Sequence, residues 1–81
     1  MRVTVRLFAR LRDITGAHEL VRKLPDGSTA SALWDDLATE FDELVEYRAT
    51  VSVAVNEEYA KIDVRLSDGD EIAFLPPVSG G

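Results

Sequence analysis

Two glycines, Gly80 and Gly81, close the sequence behind Phe74-Leu75-Pro76-Pro77-Val78-Ser79, and they are the residues best suited to chemistry. Glycine is about 7% of ordinary sequence, so a chance pair at a given place has odds of roughly 0.5%. Neither residue has a Cβ. A diglycine segment can lie extended in a narrow channel and present its own α-carboxylate to a catalyst, where a side chain would clash. Pro76 and Pro77 fix φ and cannot extend a sheet ladder, so the strand before them ends and the tail leaves the body. From Pro77 to Gly81 an extended chain reaches about 14 Å, at ~3.3–3.6 Å per residue. That is long enough to enter a neighbouring protein's active site. The plain alternative is a frayed end made of small residues.

The side chains offer less. There is no cysteine, hence no disulfide framework, thiolate nucleophile or thiolate metal site. No serine–histidine–acid arrangement, glycine-rich phosphate loop or metal-ligand spacing is present. His18 is the only histidine, and a single unpartnered imidazole reads as a solvated strand residue. Asp35-Asp36 reads as a solvated helix face and Glu57-Glu58 as a turn. Asp68, Asp70 and Glu71 invite a calcium reading, but their loop lacks the EF-hand pattern, and no metal site is assigned.

The elements that must position the tail follow from periodicity. Val3, Val5 and Leu7 recur with period two, with Thr4, Arg6 and Phe8 opposite, which predicts a half-buried strand. Ala9 to Thr15 suits a short helical turn closed by Gly16. His18 to Leu24 is a strand of weaker pattern, ended by Pro25 and the Asp26-Gly27 turn. Ser28 or Thr29 can cap a helix from about Thr29 to Glu40. Its apolar stripe is Ala30, Leu33, Leu37 and Phe41, widened by Trp34 and Ala38, and Trp34 reads as packing. Residues 42–48 are ambiguous between coil and a second short helix. Val51, Val53 and Val55 form the cleanest strand; Asn56-Glu57-Glu58 is a turn and Tyr59–Lys61 a short edge strand. After the Ser67-Asp68-Gly69-Asp70 turn, Ile72 and Phe74 alternate with Ala73 and Leu75 in the last strand. This is an α+β sheet with a helix on one face.

Alternation also predicts a surface. With Val3, Val5 and Leu7 inward, Phe8 points outward. With Ile72 and Phe74 inward, Leu75 does too. If those strands are neighbours, Phe8, Ala54, Ala73 and Leu75 share an exposed apolar patch bordered by Tyr59, a docking surface beside the tail. The competing placement has Phe8 closing the bottom of the core.

Eighty-one residues make one domain with a small core. Net charge is −6. Residues 1–25 hold six basic and two acidic side chains, net +4; residues 26–81 hold three basic and thirteen acidic, net −10. Such an acidic surface repels nucleic acid phosphates and favours basic partners or plain solubility. The start, Met1-Arg2-Val3-Thr4-Val5, has no signal-peptide character, and no apolar run nears the ~20 residues that span a bilayer, so a cytoplasmic location is expected.

The stretch Asp68-Gly69-Asp70-Glu71-Ile72-Ala73-Phe74-Leu75-Pro76-Pro77-Val78-Ser79-Gly80-Gly81 resembles the end of the small, sulfur-carrying subunits of molybdopterin synthase, the MoaD-like proteins. Val5-Arg6-Leu7-Phe8-Ala9-Arg10-Leu11-Arg12-Asp13 resembles their first strand and helix, and Val55-Asn56-Glu57-Glu58-Tyr59 their central strand and turn. The resemblance implies a ubiquitin-like β-grasp of four to five strands, with first and last strands parallel at the centre. It implies a domain over residues 1–77 and a flexible tail over 78–81. It further implies that Gly81 is adenylated and converted to a thiocarboxylate, with Gly80 beside it. Sulfur then passes to a pterin precursor, toward the dithiolene that holds molybdenum or tungsten. Phe8, Tyr59, Leu75, Pro76, Pro77, Val78 and Ser79 would bind the large synthase subunit, in a heterotetramer, and a ubiquitin-activating-type adenylyltransferase. ATP and Mg²⁺ would belong to that enzyme and no cofactor to this chain, a non-catalytic subunit. The same tail fits a protein modifier joined through Gly81 to target lysines, as in small archaeal modifiers. A thiamine-pathway carrier fits less well because of Pro76-Pro77. An inert β-grasp interaction module is the reading in which residues 78–81 are dispensable.

Overall fold

The alternation of Val3, Val5 and Leu7 fixes which side of the molecule is dry. In the computed structural model, which describes residues 1–77, these three side chains are buried on strand β1 (Arg2–Leu7). Helix α1 (Arg10–Thr15) follows, closed by Gly16 at φ 74, whose N–H donates to the Arg12 carbonyl at 2.8 Å. A left-handed C-cap of this kind favours glycine because it has no Cβ to clash. Strand β2 (Glu19–Lys23) returns antiparallel to β1, pairing Arg6 with Glu19 and Arg2 with Lys23. Its weak pattern has a physical reason. Leu20 packs against the core, but Arg22 is the next residue on that face, and it donates to the Glu40 carboxylate across the fold.

Thr29, not Ser28, caps helix α2 (Ala30–Glu40), its Oγ1 accepting from the Ala32 N–H at 3.1 Å. Ala30, Leu33, Trp34 and Leu37 are buried against the sheet. Trp34 lies edge-on to Phe74, ring centroids 4.9 Å apart at 67°. It is packing, as its place in the stripe predicts. Each large side chain of this kind contributes about 1.5–3 kcal/mol by leaving water. The ambiguous segment is a 3₁₀ helix, Asp42–Tyr47, with Leu44 buried.

Strand β3 (Ser52–Val55) and strand β4 (Glu58–Ala60) form a hairpin. Its turn is Asn56-Glu57 alone, both at positive φ (50° and 71°). That combination marks a two-residue type I′ turn, whose twist matches the flanking strands. Glu58 therefore belongs to the strand, and the edge strand begins one residue earlier than alternation suggests. Strand β5 (Glu71–Leu75) completes a sheet of order β2-β1-β5-β3-β4. β5 runs parallel to β1 and antiparallel to β3, so the first and last strands lie side by side at the centre. This is the β-grasp arrangement. The described residues end at Pro77, so the expected tail, 78–81, lies outside them.

The acidic loop before β5 is structural. Asp70 accepts from Asn56 Nδ2 at 2.9 Å and from the Ser67 N–H at 2.7 Å, and Asn56 Oδ1 accepts from the Glu71 N–H at 3.0 Å. Asp68 accepts from the Arg2 N–H at 2.7 Å. These carboxylates tie the hairpin turn and the start of β1 to the start of β5.

Candidate functional site

The face of the sheet opposite α2 is built by register. Arg6 pairs with Ala73, Ala73 with Ala54, and Ala54 with Tyr59, so these residues form one row across four strands. One row further along β5, Leu75 pairs with Ser52. Phe8, one residue past the end of β1, flanks the same end of the sheet, because Leu7 pairs with Phe74.

Phe8 is 39% exposed and lies outside the core cluster, so it does not close the bottom of the core. Tyr59 is 79% exposed. Leu75 and Pro76 are half-buried and Pro77 is exposed. Phe8, Leu75, Pro76 and Pro77 lie at the Leu75 end of β5, where the chain leaves the sheet, whereas Tyr59 lies in the Ala73 row on the edge strand, two strands away. Val78, Ser79, Gly80 and Gly81 lie outside the described residues.

Two details refine the expected patch. Ala54 is only 8% exposed, so it supports the face and offers little of it. Arg6 stands within the face: its guanidinium carbon lies 5.8 Å from the Phe8 ring centroid, and Nη1 is 3.7 Å from Glu71 Oε1. Alternation along β1 placed Arg6 between Thr4 and Phe8, so the signal was present. What the sequence lacked was the pairing that sets it beside Ala73. Val21, 53% exposed, belongs to the same face opposite Thr4.

Backbone geometry aims Phe8. Ala9 adopts φ 50, ψ −125, and the Leu11 N–H donates to the Phe8 carbonyl at 3.0 Å. This is the first central position of a type II′ turn, where glycine is usual. Holding alanine there costs about 1–3 kcal/mol. The turn ends β1 abruptly and leaves Phe8 at the rim.

The remaining candidates serve structure. His18 is exposed, and its carbonyl accepts from the Leu7 N–H at 3.0 Å. Asp35 pairs with Arg48 at 3.2 Å. Among the described residues no group of three or more metal-ligating side chains comes together. An open groove of about 590 Å³ beside β4 is lined by residues including Arg48, Val51, Tyr59 and Ile62, and so adjoins the face at Tyr59. No helix among the described residues is long and apolar enough to cross a membrane.

Known proteins share this frame. The molybdopterin synthase sulfur carrier subunit of Arabidopsis thaliana is 43% identical over 79 residues, covering 98% of this chain and 82% of that one. The small archaeal modifier protein 1 of Methanosarcina acetivorans superposes with a TM-score of 0.81 at 27% identity, over 99% of this chain and 96% of that one. A protein–protein complex of subunits 1 and 2 of the molybdopterin-converting factor from Helicobacter pylori contains a chain that matches with a TM-score of 0.68 at 28% identity, all of each chain being covered. The model of the ThiS family matches residues 5–81, diglycine included. On sequence and on fold alike, the chain belongs to the ThiS family.

Proposed function

We propose that this protein is the sulfur carrier subunit of a molybdopterin synthase and acts in molybdenum cofactor biosynthesis. One observation carries the reading: 43% identity over nearly the whole chain to a sulfur carrier subunit, within a family match that runs to Gly81. The structure supports it in a second way. The strand that feeds the tail is central, and the apolar rim of Phe8 and Leu75 stands where that strand ends.

The chemistry resides on the Gly81 carboxylate. Attack of one carboxylate oxygen on the α-phosphorus of ATP releases pyrophosphate and forms an acyl-adenylate. Sulfide-level sulfur (HS⁻) attacks the acyl carbon, the C–O bond to AMP breaks with its electron pair leaving on AMP, the S–H proton is lost to solvent, and a thiocarboxylate remains. That group is anionic and nucleophilic, and it delivers sulfur to the pterin precursor in the large subunit. ATP and Mg²⁺ are handled by an adenylyltransferase of the ubiquitin-activating type, and this chain supplies no acid–base side chain. Its contribution is positioning: Phe8, Tyr59, Leu75, Pro76 and Pro77 dock while Val78, Ser79 and Gly80 carry Gly81 inward. The Helicobacter pylori complex of two subunits supports a large-subunit partner. The working assembly would be a heterotetramer in the cytoplasm.

Intact mass spectrometry after incubation with the activating enzyme, ATP and a sulfur source tests the chemistry. Replacement of one terminal oxygen by sulfur is the expected result; an unchanged mass contradicts it. Similarity to a small archaeal modifier favours a second reading, conjugation through Gly81 to target lysines. A tagged pulldown from cells separates the two. A ladder of conjugates supports the modifier, and recovery of one pterin-binding subunit supports the carrier.

A further inference from the structure

Arg6 makes no side-chain hydrogen bond among the described residues, unlike Arg10, Arg22 and Arg48. Arg10 hydrogen-bonds to Glu43 at 2.9 Å, Arg48 to Asp35 at 3.2 Å, and Arg22 to Glu40. The carboxylate nearest Arg6, that of Glu71, stands 3.7 Å from Nη1, within ion-pair range but beyond a hydrogen bond. Arg6 Nε is buried and has no hydrogen-bond partner among the described residues; Arg22 Nε shares that deficit, but the Arg22 guanidinium reaches Glu40 through Nη2, whereas Arg6 has no such bond. A guanidinium offers five donors, and a buried donor left unpaired costs about 1–3 kcal/mol. This under-used group lies against Phe8, in the row that runs to Tyr59, with its side chain 43% exposed.

The charge around it restricts what can complete it. Glu71 flanks it and Glu19 is its cross-strand partner on β2. A further carboxylate would meet two like charges, whereas a neutral acceptor would not. We propose that Arg6 is a specificity-determining contact of the docking face. Its occupant is a partner-protein loop that offers main-chain carbonyl oxygens to the guanidinium while apolar side chains cover Phe8 and Leu75. This rests on the docking face assigned above. Apolar contact gives that face its area, and the unfilled donors fix which surface fits and in what register.

Titration calorimetry against the cognate synthase large subunit tests this, with wild type, Arg6→Met, Arg6→Gln and Phe8→Ala compared at low and high salt. Arg6→Met keeps an apolar stem on Phe8 and removes every donor; it should weaken binding roughly tenfold or more, the range for an unpaired buried acceptor. Arg6→Gln retains a neutral donor and should stay within about fivefold of wild type, with the same salt dependence, because the acceptor carries no charge. Thermal unfolding of each variant checks that the fold is intact. Met equal to wild type, with Phe8→Ala weak, overturns the role of Arg6 and leaves the docking face standing. Gln as weak as Met, with a salt dependence lost from wild type, identifies a carboxylate and overturns the carbonyl assignment. Phe8→Ala equal to wild type removes the docking face itself.

Discussion

At the Glu71 end of β5, Asp70, Asn56, Asp68 and Ser67 close their hydrogen bonds on one another and on the Arg2 and Glu71 backbone. At the Leu75 end, a few residues away, Phe8 is exposed and Ala9 holds a conformation that suits glycine, and in the Ala73 row between the two ends Arg6 Nε is unpartnered. One strand thus joins a region whose polar groups are satisfied internally to one that leaves an aromatic side chain uncovered and an arginine donor unpartnered. Positive φ is not confined to the open end, since Asn56 and Glu57 also hold it, and such strain persists only where the rest of the fold over-determines it. Here the stitched end and the Trp34–Phe74 core supply that constraint.

The contrast can be broken from either side. The largest effect belongs to the tail that leaves the open end: Gly81→Ala should leave thermal unfolding unchanged while lowering sulfur transfer by about 100-fold or more, the scale for misplacing a reacting group. Single-turnover transfer assays measure it, and ordinary turnover would contradict the channel argument. Phe8→Ala comes next. Docking to the large subunit should weaken by about 2 kcal/mol, as for a central aromatic anchor, with stability little altered. Asp70→Ala should show the reverse pattern: roughly 1.5–3 kcal/mol of stability lost in urea unfolding, with docking intact in the folded protein. The smallest effect sharpens the comparison. Ala9→Gly relieves the turn but frees the unfolded chain, so stability should rise by only about 0.5 kcal/mol. The looser rim should show itself as faster dissociation from the partner.

Much of this was legible in the residues. Period-two alternation in residues 3–7 and 72–75 gave both faces of the central strands, and Thr29 to Glu40 gave the helix almost to the residue. The outward placement of Phe8 and Leu75 follows from the same alternation. The parallel pairing of β1 with β5 does not, because periodicity carries no information about which strands are neighbours; the family resemblance supplied it. The shift of the edge strand to Glu58 depends on a type I′ turn at Asn56-Glu57 that lacks the usual glycine. Arg6 escaped notice because its significance lies in a distance to Glu71 and a missing acceptor, neither of which a linear pattern records. Arg22 weakened the β2 pattern because its partner, Glu40, is on a different element.

The parallel setting of β1 and β5 has a mechanical side. Force applied between Met1 and Pro77 pulls those two strands along their length in opposite directions, so the ladder between them is loaded in shear and its bonds must fail together. An antiparallel neighbour pulled from one end would instead unzip bond by bond.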